Sequence, residues 1–166
     1  MALDKSILDD FVTESLNLVD QCIELLETIE SDPSEVEKLS EFANRIDRVM
    51  GGAKSLALSV PAEHALHLIG DYCAICKSVG YQGASIVNND QLYNVTVALL
   101  LDAVEMVKTL FSKLDTGREE LKKIFSMTFL ERLKWISAQF DELDKKNGGD
   151  KMKQNEIDEL LKKLGI

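Results

Sequence analysis

Several short polar constellations in this 166-residue chain have the residue types of a reaction centre. Glu41-Phe-Ala-Asn44 sets a carboxylate and an amide three residues apart, so both side chains leave one face of a helix. A carboxylate that accepts and an amide that both donates and accepts could together bind a water or a polar partner. Asp90-Gln-Leu-Tyr-Asn94 offers the same pair at a spacing of four, and Glu14-Ser-Leu-Asn17 again at three. Such pairs are common in acidic helices, where they usually form only a solvated face. His64 and His67, the only histidines, stand at i, i+3. That spacing can hold a metal, but two imidazoles with no third ligand make a poor site, and a structural or partner-contacting role is the simpler expectation. Cys73-Ala-Ile-Cys76 has the spacing of a redox pair or half a zinc site. It lies inside the helical pattern Ala65, Leu68, Ile69, Tyr72, Cys76, Val79 with no second pair to close a tetrahedron, so these thiols belong to a core.

The elements that carry these residues read as helices. Ile7, Leu8, Phe11, Val12, Leu16, Val19, Cys22, Ile23, Leu26 and Ile29 recur at three and four, which predicts a helix of about seven turns closing at Ser31-Asp32-Pro33. Ser34 is the expected cap of a second helix with Val36, Leu39, Phe42, Ala43, Ile46, Val49, Met50 and Ala53 on one stripe. Its interior holds Gly51-Gly52, which costs about 1–2 kcal/mol against alanine, so a smooth surface is wanted there, for a neighbouring helix or for a partner. A third helix is expected from Pro61 to Val79, a loop from Gly80 to Asn89, a fourth helix from Asp90 to Leu114 and a fifth from Arg118 to Lys145. Trp135, Phe125, Phe129 and Phe140 fit packing in that fifth helix. The fold class is all-α: an antiparallel bundle over residues 1–145, four-helix with an additional long helix.

The charge of −10 is concentrated, because residues 1–35 hold ten acids against Lys5 alone. Nucleic acid and anionic membrane surfaces bind through clustered Lys and Arg, so neither is an expected partner. No apolar run approaches the roughly 18 residues of a membrane span and no secretion signal is visible, which makes the cytoplasm the expected compartment. Three cysteines, an odd number, argue against a disulfide framework. Residues 146–153 are polar with adjacent glycines and read as a flexible linker. Beyond them, Ile157, Leu160, Leu161 and Leu164 fall at i, i+3, i+4 and i+7, the anchor pattern of a helix that lies in a groove, either a partner's or one on its own bundle.

The end of the chain, Gln154-x-x-Ile157-Asp158-x-Leu160-Leu161-x-x-Leu164-Gly165-Ile166, resembles the C-terminal CheY-binding peptide of the chemotaxis phosphatase CheZ, and its first eight residues resemble the corresponding peptide of the flagellar switch protein FliM. The resemblance implies docking of 154–166 on a CheY-like receiver domain, with Asp158, and Glu159 as a second candidate, paired to basic residues of that partner. Residues 1–115, through Phe11-Val-Thr-Glu-Ser-Leu and Glu41-Phe-Ala-Asn-Arg-Ile-Asp-Arg-Val-Met-Gly-Gly-Ala53, resemble the histidine-phosphotransfer (HPt) domain of the chemotaxis kinase CheA. Here Asp47 stands where that family has its phosphate-accepting histidine and Met50 where a lysine usually sits. The third helix keeps His64 but has His67 in place of a supporting glutamate. A carboxylate lacks the nucleophilicity of that imidazole, so phosphotransfer is expected to be lost and a degenerate face (Asp47, Met50, Gly51, Gly52, His64, His67) to remain.

Together the resemblances imply a protein of chemotaxis or two-component signalling that binds a CheY-like response regulator through 154–166. Its bundle would then promote loss of the receiver's phosphoryl group, with Glu41 and Asn44 as the preferred acid/amide pair and Asp90 and Asn94 as the alternative. The rival reading is a non-catalytic pseudo-HPt module that binds, sequesters or scaffolds the regulator. A third is an adaptor for the chemotaxis kinase or the flagellar motor. No cofactor of its own is expected, since the Mg2+ of such a reaction belongs to the receiver. The CheZ analogy would also imply a homodimer.

Overall fold

The computed structural model describes residues 3–146 and 158–164, without the side chains of 143–146. Among them every regular element is helical: α1 (Lys5–Ile29), a 3-10 turn (Pro33–Glu35), α2 (Lys38–Ala57), α3 (Ala65–Gly83), α4 (Asp90–Phe111), α5 (Arg118–Lys122) and α6 (Met127–Lys146). A helical segment also runs over 158–163. The all-α bundle is therefore as the periodicity requires, because each apolar stripe must be buried against another.

Helices α1 to α4 close an antiparallel square whose register is fixed by named pairs. Phe11 at the start of α1 stacks edge-on against Phe111 at the end of α4, with ring centroids 5.7 Å apart, and the Tyr93 hydroxyl at the start of α4 donates to the Ile29 carbonyl at the end of α1, at 2.7 Å. Glu14 meets Arg48 across α1 and α2 at 2.9 Å. Asp47 meets Lys77 across α2 and α3 at 2.8 Å, and the Tyr72 hydroxyl of α3 donates to the Ala103 carbonyl of α4 at 2.9 Å. Phe42, Ile46, Leu66, Ile69, Tyr72, Tyr93 and Leu100 fill the interior. α5 and α6 lie against α3 and α4, where Phe125 and Phe129 pack on Tyr72 with centroids 5.1 and 6.4 Å from its ring.

Several boundaries differ from the sequence expectation, among them the start of α3, at Ala65 and not Pro61, and the end of α4, at Phe111 and not Leu114. Gly80-Tyr-Gln-Gly83 is not a loop but the last turn of α3. A Cβ on Gly80 would sit 2.7 Å from the Phe42 ring and one on Gly83 would sit 3.0 Å from Leu39 Cδ1, so these glycines make room for α2 side chains against α3. The expected single helix 118–145 is broken: α5 ends at Lys122, and the Ser126 hydroxyl accepts from the Phe129 amide at 3.1 Å to begin α6. Asp32, not Ser34, caps the 3-10 turn that leads into α2. Asn89 caps α4, accepting from the Leu92 amide at 3.0 Å.

Candidate functional site

The α2/α3 face carries Glu41, Asn44, Asp47, Lys77 and Tyr81. Glu41 and Asn44 leave α2 on its exposed side, one turn apart. Glu41 lies 3.9 Å from Arg45, too far for a hydrogen bond, so its carboxylate is oriented but not consumed. Asn44 Oδ1 accepts the hydroxyl of Tyr81, which rises from the last turn of α3. That bond fixes the amide and leaves the carbonyl a second lone pair, together with both amide hydrogens, for a water or a partner. One turn further, Asp47 is paired with Lys77.

Sequence reasoning missed Tyr81 and Lys77. Both are four residues apart on α3, a spacing that would have shown them on one face had the helix been carried through Gly80.

The glycine pair divides its roles. A Cβ on Gly52 would lie 2.5 Å from the Phe11 ring, so this glycine admits α1, whereas one on Gly51 would meet nothing within 4 Å. Met50 is half-buried and lines a cavity of about 460 Å³ with Lys54, Ala74, Lys77, Ser78, Tyr81, Gln82, Glu159, Leu160 and Lys163.

His64 is the N-cap of α3: its Nδ1 accepts from the Leu66 amide at 3.1 Å. Burial, then the neighbouring His67, lowers its pKa, which keeps Nδ1 free to accept. Among the described residues no group of three His, Cys, Asp or Glu is arranged to hold a metal ion. Cys22, Cys73 and Cys76 are buried free thiols. Burial pushes Cys22 and Cys76 up to about 12 and Cys73 well above its ordinary value, so none is a nucleophile at neutral pH.

Asp90 and Asn94 lie elsewhere, at the exposed start of α4 beside Asn89. Asp90 sits in the first turn, where a carboxylate complements the helix dipole. Nearby, Val95, Leu99, Thr128 and Trp135 line an apolar groove of about 480 Å³ between α4 and α6. Trp135 is 50% exposed there, not packed in the core with Phe125, Phe129 and Phe140 as expected.

The terminal segment is folded back onto the bundle. Leu161 and Leu164 are buried in the common core, and Leu160 is packed against it. Glu159, Leu160 and Lys163 face the α2/α3 cavity, while Asp158, Leu161 and Lys162 line a small cleft with Lys134 of α6. Gln154, Ile157 and Ile166 lie outside the described residues, as does the expected linker beyond Lys146. No helix among the described residues is long and apolar enough to cross a membrane. Comparison with protein families, with curated proteins and with solved structures found no match.

Proposed function

We propose that this protein is a chemotaxis-type signalling protein that recruits a CheY-like response regulator through residues 154–166 and promotes its dephosphorylation from the α2/α3 face. The observation that carries the reading is the exposed Glu41/Asn44 pair, with Asn44 held by Tyr81. An amide fixed before its partner arrives needs no reordering when it orients water for in-line attack on an aspartyl phosphate. The water gives its proton to solvent or to Glu41 as its oxygen bonds to phosphorus, and the P–O bond to the receiver's aspartate breaks, releasing inorganic phosphate. The receiver's own Mg2+ would supply charge stabilisation, and this chain supplies the positioning of the water.

Recruitment requires the terminal helix to exchange one apolar surface for another. Leu160, Leu161 and Leu164 would leave the bundle and enter the receiver's groove, so the two contacts compete. Once tethered, the receiver reaches an effective concentration at the bundle of about the mM range, enough for a modest site to act. The cytoplasm, where such receivers work, is the compartment that goes with this reading.

A second reading is a non-catalytic module that binds or sequesters the regulator. It is favoured by the Asp47–Lys77 pair, which neutralises the former phosphotransfer position without creating a nucleophile. The lifetime of a phosphorylated CheY-like receiver separates the two, measured alone, with the full chain, and with the chain cut after Asn147. Decay quickened by the full chain and not by the cut one supports the first reading. Binding with an unchanged lifetime supports the second, and absence of binding overturns both.

A further inference from the structure

We infer that the cavity between α2, α3 and the terminal helix is a binding site for a small nucleotide, a ligand with a flat body and a phosphate group. The inference goes beyond the receiver-binding reading and stands without it.

The charge of the cavity runs against that of the chain. The protein carries −10, yet this cavity is lined by Lys54, Lys77 and Lys163 with Glu159 as the one acid among its lining residues. Lys77 shares its charge with Asp47 at the rim. Lys54 and Lys163 make no ion pair with any described residue. Lys54 is also placed, not free to wander: its stem crosses Gly70 of α3, where a Cβ would stand 2.9 Å from its Cγ. Cations that outnumber the carboxylates around one hollow in an acidic protein attract an anion, and a phosphate accepts from several ammonium groups at once.

The rest of the lining suits the body of such a ligand. Met50, Ala74, Leu160 and the Tyr81 ring give an apolar side, and the volume of about 460 Å³ falls within the range of small-molecule sites. Gln82 lines the same cavity, and both its amide nitrogen and its amide oxygen are shut from water without a hydrogen-bond partner. Turned toward the cavity, this amide would present a donor and an acceptor to the paired acceptor and donor on the edge of a purine, and so recover the hydrogen bonds it lacks.

The terminal helix supplies one wall through Glu159, Leu160 and Lys163, so an occupant bridges helix and bundle. Titration of the full chain with ADP, adenosine and inorganic phosphate by calorimetry, with no receiver present, tests the site. ADP is expected to bind with a Kd of about 10 μM to 1 mM, adenosine and phosphate at least tenfold more weakly. Lys54→Gln and Lys163→Gln should each weaken ADP about tenfold, while Lys134→Gln, the same charge change in the neighbouring cleft, should leave it within twofold. ADP should also slow amide hydrogen exchange over 158–164. No binding at 5 mM ADP would overturn the inference. So would binding that Lys54→Gln and Lys163→Gln leave within twofold, or phosphate or adenosine binding as tightly as ADP. A receiver that fails to bind leaves these outcomes untouched, so the two proposals fail separately.

Discussion

The two long grooves of the bundle are built from different materials. Between α2 and α3, glycines at 70, 80 and 83 draw the backbones together, and the residues beyond them are polar and directed: Asn44 on Tyr81, Asp47 on Lys77, Lys54 across Gly70. Between α4 and α6 the contact is looser, an open apolar trough with Val95 and Trp135 half out in solvent and only the long Arg132–Asp102 pair, at 3.6 Å, beside it. Close backbone approach fixes the side chains that flank it, whereas an open trough leaves its lining free to repack. A site that must hold an amide in one orientation belongs on the first kind of surface.

Truncating one anchor on each side should expose this difference. Phe42, fully buried against Gly80, should cost about 3–5 kcal/mol as Phe42→Ala, and Trp135→Ala, already half exposed, about 1–2 kcal/mol. Urea denaturation of both variants measures the contrast, and equal losses would mean that the α4/α6 side is packed as tightly as the other.

A finer test lies within one glycine pair. Gly52→Ala drives a methyl into the Phe11 ring, a net loss of about 1 kcal/mol after overpacking is set against better helix propensity. Gly51→Ala meets open space and should gain about 0.5–1 kcal/mol. Thermal unfolding of the two variants should therefore shift in opposite directions.

The smallest effect is that of pH on the cap of α3. Because the folded chain lowers the pKa of His64, the unfolded chain takes up its proton first as acidity rises. The contribution of this cap is complete above the unfolded value near 6.5 and is lost as pH falls through it toward the folded value. His64→Asn keeps a capping oxygen that does not titrate, so its urea midpoint should fall less than that of the parent between pH 7 and pH 5.5.

The stripes of α1, α2 and α4 were legible because apolar periodicity and burial are the same fact seen twice: Val19, Cys22, Leu26, Ile46 and Val49 recur at helical spacing and all are buried. Gly80 and Gly83 were misread as loop because glycine weakens an isolated helix, and only the tertiary approach of Phe42 and Leu39 reveals why it is needed. That misreading concealed Tyr81, and with it the partner of Asn44. The break between α5 and α6 carries neither Gly nor Pro, only a Ser126 cap of the kind that occurs in many helices. For the terminal leucines, periodicity fixed that they bury a face but not against what, since a groove on a partner and a groove on the bundle ask for the same spacing.

The role proposed for Asn44, held by Tyr81, is to orient the water that removes a receiver's phosphoryl group. Its most direct test is the decay of a phosphorylated CheY-like receiver in the presence of Asn44→Ala, with receiver affinity measured in parallel. Acceleration lost by about 10²-fold or more at unchanged affinity is the expected result. Acceleration equal to that of the parent chain would contradict it and move the chemistry off the α2/α3 face.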